Sequence, residues 1–253
     1  MSALPVALTI AGSDPGGGAG IQADLRTFAA FGVHGASVIT ALTAQDGRGV
    51  HAIAEVPPAF VGQQLDAVLG DLDVRATKTG MLHRAAAIDV LVARRLPLLV
   101  VDPVIAATGG EALLEPAGVA ALRERLLPLA TLVTPNLREA EVLTGRPVTD
   151  PAGMREAARA LVALGAGAAL VKGGHLAGDA IDVLYDGHEF RELRAPRIEG
   201  RRLHGTGCVL SAAIAAGLAL GDGLADAVAE AKRYIVRVIE SAPRSGRAPI
   251  VPR

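Results

Sequence analysis

The chain has no tryptophan, two tyrosines, four phenylalanines and one cysteine in 253 residues. With aromatics at 2%, the core has to be built from Leu, Val, Ile and Ala, and a stacking platform for single-stranded nucleic acid is excluded. A lone cysteine excludes an internal disulfide and any cysteine-cluster metal site. The six histidines, at 34, 51, 83, 175, 188 and 204, never fall at zinc-ligand spacing, so no zinc is expected. A net charge of −1 offers no basic face to nucleic acid or to an anionic membrane. The opening Met1–Pro5 lacks the basic segment of a signal peptide. The longest apolar run, Val209 to Leu220, is too short and too rich in Ala and Gly to span a bilayer. The expectation is a cytoplasmic globular protein without nucleic-acid or membrane partners.

What is present is an alternation of short buried strands and amphipathic helices. Val6–Ala11, Ser37–Ala41, Leu98–Val104, Leu132–Thr134 and Ala168–Lys172 read as strands, the apolar ones without polar alternation. Val50–Val56 alternates and reads as a half-solvated strand, after a loop at Ala44–Gly47. Helices are expected from Ile21 to Phe31, from Pro58 through Leu69, over Ala85–Arg95 and Pro116–Leu127, and from Asp150, a cap followed by proline. Ile181–Tyr185 and Glu189–Leu193 read as a hairpin through Asp186-Gly187. A helix over Leu224 to about Glu240 comes last. This pattern predicts an α/β fold with a central, mainly parallel sheet and helices on both faces, in a single domain over 1–253 with a loose tail at 243–253.

Two glycine-rich stretches interrupt the alternation. His204-Gly205-Thr206-Gly207-Cys208 runs straight into an Ala-rich helix. Free amides and the positive end of the helix dipole make such a turn a seat for an anion. Cys208 would sit in the first helical turn, where a thiolate is favoured. Gly12 to Gly20 holds five glycines in nine residues and is expected to let a ligand come close. It is no Walker loop, because Gly18 stands where the lysine belongs, and no dinucleotide fingerprint fits.

In such sheets function collects at the carboxyl ends of strands. There lie Lys78–Met81, Asp102–Val104, Asn136, Glu139 and Lys172–His175. Phosphoryl transfer needs an anion cradle, positive charge, Mg2+ and a held nucleophile. Lys172 supplies charge, and Asn136 with Glu139 suit a magnesium ion that keeps most of its waters.

Together Gly12-Ser13-Asp14-Pro15, Gly17–Asp24, Thr134-Pro135-Asn136-Leu137-x-Glu139, Lys172–His175 and His204–Cys208 resemble the hydroxymethylpyrimidine/phosphomethylpyrimidine kinases of thiamine biosynthesis. The resemblance implies a ribokinase-like fold, ATP and Mg2+, and two successive phosphorylations of 4-amino-5-hydroxymethyl-2-methylpyrimidine. By that resemblance Asp24, Gln45, Met81, Val104 and Cys208, with Gly12 beside them, line the pyrimidine. Asn136, Lys172, Thr206 and Gly207 hold ATP, Asp102 and Glu139 serve the metal, and Cys208, Lys172, Gly205 and Gly207 form the catalytic centre. Relatives of this kind are commonly homodimers. Pyridoxal kinase of vitamin B6 salvage is the alternative on the same fold, and a non-catalytic vitamin sensor is a third reading. Gly16 stands where the family usually has serine, which is expected to loosen the first loop.

Overall fold

Strands that are apolar at every position bury both faces, and that requirement sets the architecture. The computed structural model describes residues 4–46, 49–107, 109–174, 176, 178–198 and 205–241. In it a nine-stranded sheet runs in the order β3-β2-β1-β4-β5-β6-β7-β8-β9. The strands are β1 (Val6–Ser13), β2 (His34–Asp46), β3 (Gly49–Glu55), β4 (Val74–Thr79), β5 (Leu99–Val101), β6 (Leu132–Val133), β7 (Ala169–Lys172), β8 (Ala180–Tyr185) and β9 (Phe190–Ala195). β2, β1, β4, β5, β6 and β7 are parallel, while β3 pairs antiparallel with β2 and the β8–β9 hairpin closes the other edge antiparallel.

Helices cover both sides. α2 (Pro58–Asp71), α3 (Ala85–Val92), α4 (Pro116–Ala121), α5 (Leu137–Thr144) and α6 (Pro151–Ala163) pack on one face, with Leu8, Ile10, Leu99, Val101 and Val171 beneath them. α1 (Gly20–Ala30), α7 (Thr206–Leu220) and α8 (Leu224–Ser241) cover the other, over Ala7, Val100, Leu132 and Leu170. Successive strand residues therefore join opposite cores, the period-2 rule applied to a sheet buried on both sides. The fold class agrees with the sequence reading.

Three expectations are corrected. The Ala44–Gly47 loop is in large part strand, because β2 continues to Asp46 and pairs with β3 through Gln45↔Val50 and Asp46↔Gly49. Leu98–Val104 yields only Leu99–Val101 as strand, which leaves Asp102 just past its end. Pro116–Leu127 is not one regular helix. α4 passes into a π-type turn at Leu122–Leu126 and a 3-10 turn at Leu127–Leu129, where Pro128 has no N–H to continue the α ladder. Gly47, His175, Leu203, His204 and the 243–253 tail lie outside the described residues. Among the described residues no helix is long and apolar enough to cross a membrane.

Candidate active site

A polar row crosses the sheet at the level of Lys78 and Lys172, near the carboxyl ends of β4 and β7. Thr9 on β1, Lys78 on β4, Asp102 after β5, Thr134 after β6, Lys172 on β7 and Asp182 on β8 all meet the α1, α7 and α8 layer or one another. Thr9 Oγ1 donates to Asp24 Oδ2 at 2.6 Å, and Lys78 Nζ donates to both Asp24 oxygens at 2.8 and 3.0 Å. Asp102 Oδ1 accepts from Lys172 Nζ at 2.9 Å and from Thr134 Oγ1 at 3.4 Å, while its Oδ2 accepts from Ser211 Oγ of α7 at 3.2 Å. Buried charges persist only when paired in this way.

α7 begins directly above Asp102 and Lys172. Its cap is Gly205, at φ +84°, which has no side chain to occupy the first-turn amides. A Cβ on Gly205 would stand 1.9 Å from the carbonyl oxygen of Gly18, and one on Gly207 would stand 3.1 Å from Lys172 Nζ. The turn is thus clamped against the glycine loop on one side and open to a lysine on the other. Thr206 is the first helical residue and Cys208 the third, both half-buried.

Three amides of the Gly12–Gly20 loop are taken within the loop itself. The Asp14 carboxylate takes them: Gly16 N–H donates to Oδ1 at 2.8 Å, and Gly18 and Ala19 N–H donate to Oδ2 at 3.0 and 2.9 Å. Asp14 thus does for this loop what a bound anion does for a helix terminus. Gly16 is one of the residues so held, rather than a loose point. The loop then enters α1 through Gly20, at φ +59°, whose Cβ would stand 2.3 Å from the Gly12 oxygen. The Gly20 amide reaches the Cys208 sulfur.

On the β2–β1–β4 side of this centre lies a small apolar cluster, with Ala41, Met81 and Leu113 buried and Val50, Ile53, Val104 and Ala107 half-buried around them. Met81 and Val104 therefore sit together, and Gly12 is adjacent, since its Cβ would lie 3.1 Å from Met81 Sδ. Gln45 stands at the end of β2, its Oε1 accepting from Thr43 Oγ1 at 3.1 Å. Asp24 is wholly buried, and its oxygens accept from Lys78 and Thr9.

Asn136 and Glu139 form a capping box at the start of α5. Asn136 Oδ1 accepts from Glu139 N–H at 3.0 Å, and Glu139 Oε2 accepts from Asn136 N–H at 2.8 Å. Burial raises the Glu139 carboxyl to about 7, with Lys172 opposing and Asp102 reinforcing the shift. A raised carboxyl pKa means that folding favours the protonated form. The stabilisation relative to a neutral residue is full below the ordinary carboxylate range and is lost as pH rises through about 7. The melting temperature of wild type minus that of Glu139→Gln should therefore fall between pH 4.5 and pH 7.5. A difference that is flat or rises with pH would contradict this account.

Burial opposes charge on Lys78 and Lys172 as well, but their carboxylate partners outweigh it and both ammonium groups are held above the usual lysine range. Cys208 is the main electrostatic correction. Desolvation pushes its thiol up to about 11, with Asp24 and Asp102 adding to the rise, against the pull of Lys78 and the Gly20 amide. The helix terminus does not make a thiolate at neutral pH here. Iodoacetamide should accordingly alkylate Cys208 slowly at pH 7.5, with a rate still climbing about tenfold per pH unit up to pH 10, as expected below a thiol's pKa. A plateau below pH 9 would show a stabilised thiolate.

The sequence reading gives no role to Thr9 or Ser211, and it names Lys78 and Asp14 only by their place at a strand end and in a glycine-rich motif. For Lys78 the signal was parity, since a charged residue on the inward phase of a strand buried on both faces needs a partner. Asp102, Lys172, Gly205, Gly207 and Cys208 do come together as expected.

The chain matches the phosphomethylpyrimidine kinase family over residues 14–252. It is 55% identical over 254 residues to the hydroxymethylpyrimidine/phosphomethylpyrimidine kinase of Rhizobium meliloti, covering 97% of this chain and 96% of that protein. It is 54% identical over 245 residues to a thiamine biosynthesis bifunctional protein of Geobacter sulfurreducens, covering 95% of this chain but only 50% of that longer protein. The ADP complex of Bacillus subtilis pyridoxal kinase superposes with a TM-score of 0.88 at 38% identity, covering 95% of this chain and 93% of that one. With a family match across nearly its whole length, the chain belongs to the phosphomethylpyrimidine kinase family.

Proposed function

We propose that this chain transfers the γ-phosphoryl group of ATP to 4-amino-5-hydroxymethyl-2-methylpyrimidine and then to the resulting monophosphate, in thiamine biosynthesis. The observation that carries this reading is the junction of Gly205–Cys208, Lys172 and Asp102 beside the apolar Met81–Val104 cluster. A seat suited to an anion and an apolar wall meet there. Relatives bearing the pyrimidine kinase name at 55% identity favour this acceptor. Pyridoxal remains the alternative because a pyridoxal kinase shares the fold at 38% identity.

The residues fit ATP and magnesium. The space above Gly207 that a Cβ would fill faces Lys172 Nζ, as a phosphate seat requires. Asp102 and Glu139 give two hard oxygen ligands flanking one lysine, and among the described residues there is no larger cluster of metal-binding side chains. Few protein ligands suit Mg2+, which keeps its waters. When bound, the ion supplies charge neutralisation across the phosphate oxygens.

In the transfer, the hydroxyl oxygen of the acceptor forms a bond to the γ-phosphorus as the bond to the β-γ bridging oxygen breaks and ADP leaves, and the hydroxyl proton passes to an oxygen of the transferred phosphoryl group. Lys172 neutralises charge on the moving group, and the α7 amides hold its oxygens. Cys208, a thiol at neutral pH, orients the hydroxymethyl group. The loose transition state asks little of a base, and in the second step the acceptor is already a phosphate oxygen. A single kinase domain, acting in the cytoplasm as a homodimer joined near the exposed β3 edge, belongs to the same reading.

The test is ADP release with ATP and Mg2+, offering the hydroxymethylpyrimidine, its monophosphate and pyridoxal side by side. Turnover of both pyrimidines with pyridoxal slow supports the proposal. Turnover of pyridoxal alone moves the activity to vitamin B6 salvage.

A further inference from the structure

Beyond Lys172 the described residues Gly173, Gly174, Leu176 and Gly178 are held by hydrogen bonds. Gly173 N–H donates to Asp182 Oδ1 at 3.0 Å, and a Cβ on Gly173 would stand 2.2 Å from the carbonyl oxygen of Ile181. Asp182 is the register partner of Lys172 across β7–β8 and is buried. Its Oδ2 accepts from Lys232 Nζ of α8 at 2.6 Å, and Lys232 also donates to the Ala180 oxygen at 3.2 Å. The next residues are held from outside by one side chain. Arg197, exposed two residues past the end of β9, donates Nη1 to the Gly174 oxygen at 2.9 Å and Nε to the Gly178 oxygen at 2.8 Å. Its Nη2 donates to the Leu176 oxygen. One guanidinium thus gathers the main-chain carbonyls of Gly174, Leu176 and Gly178.

This clasp lies on the side of the phosphate seat opposite the apolar cluster. In phosphoryl transfer the attacking and leaving oxygens lie roughly in line across the moving group. If the acceptor ring occupies the Met81 side, the donor nucleotide takes the β7–β8 side, where Gly174 has nothing within 4 Å of a would-be Cβ. A segment that borders a ligand gains affinity when its backbone is ordered before binding, because the ordering cost is no longer charged to the ligand.

We propose that Arg197 is a positioning residue for the nucleotide: by clasping the Gly174, Leu176 and Gly178 carbonyls it presets the backbone of those three residues beside ATP. This rests on the reading that phosphates occupy the Gly205–Cys208 seat. Lysine is no substitute, since a point ammonium does not present the planar fork that reaches several separated acceptors.

The experiment measures ATP affinity by calorimetry with Mg2+ and no acceptor, together with steady-state KM for ATP and for the pyrimidine, in wild type, Arg197→Ala and Arg197→Lys. Arg197→Ala should weaken ATP binding about tenfold, the effect of one or two lost net hydrogen bonds. The pyrimidine KM and kcat should stay within about twofold, and Arg197→Lys should not restore affinity. Unchanged ATP affinity in Arg197→Ala would overturn the proposal. So would a parallel loss of both KM values with a lowered melting temperature, the pattern of a merely structural residue. A wild-type chain that binds no ATP would instead sink the reading of the phosphate seat, and this inference with it.

Discussion

Gly205→Ala is expected to lower kcat for phosphoryl transfer about 100- to 1,000-fold, the loss that follows removal of a preorganised anion donor. Two effects combine at this position. Alanine at a φ of +84° costs about 1–2 kcal/mol in backbone energy. The larger effect is steric, because a Cβ placed 1.9 Å from the Gly18 oxygen forces the turn and the glycine loop apart. The α7 amides then no longer converge on one point. Gly221→Ala, at the far end of the same helix, is the control. Gly221 has φ +97° and open space around a would-be Cβ, so it carries the same backbone strain without the clash. It should lower the melting temperature and leave kcat within about twofold. A kcat loss below tenfold in Gly205→Ala would mean that the turn does not hold the transferred phosphoryl group.

Lys172→Met is the second large effect, with an expected loss of about three orders of magnitude in kcat, the low end of what a cation on the moving phosphoryl group contributes. It should also destabilise the fold, because Asp102 is 3% exposed and would be left as a buried carboxylate with only hydroxyl partners. Breaking a buried pair on one side costs about 3–5 kcal/mol. The two consequences separate in the double variant Lys172→Met/Asp102→Asn, which removes the Asp102 charge together with its ammonium partner. Its melting temperature should recover most of the loss while kcat stays low. If stability and activity recovered together, Lys172 would be a structural counter-ion to Asp102 and not the group that meets the phosphate.

The parts of this protein that were legible in the sequence are those that depend on local pattern. The strands around Val100 and Leu170 are apolar at successive positions because both sides are covered, and their ends carry Asp102 and Lys172 where a parallel sheet collects function. The turn at Gly205 was legible from two glycines ahead of a long helix. The illegible parts depend on distance in the chain. Lys78 and Asp24 are 54 residues apart and Ser211 and Asp102 are 109 apart, yet each pair meets in space. The length of β2 was missed because its last residues are partly exposed and read as loop, whereas pairing with β3 keeps them extended. The Cys208 thiol was misjudged for a related reason. Its helix position can be read from sequence, but the desolvation that outweighs the helix terminus comes from neighbours on other elements. Asp14 stands in the sequence only as part of a motif, and the folded loop reveals that it closes three amides on itself.

α7 carries one further consequence. From Val209 to Ala219 every residue is buried, and most are alanine or glycine. Gly217 lies so close to α8 that a Cβ there would meet that of Ala227 at 3.0 Å. Methyl groups therefore act as shims that fix how far the first turn of the helix stands from the strand ends. A larger residue anywhere along this stretch lifts the whole rod, and the Gly205–Cys208 turn moves with it. Packing tolerance and reaction geometry are in this way one quantity, and a substitution chosen to tune core stability in α7 is at the same time a substitution in the working distance of the enzyme.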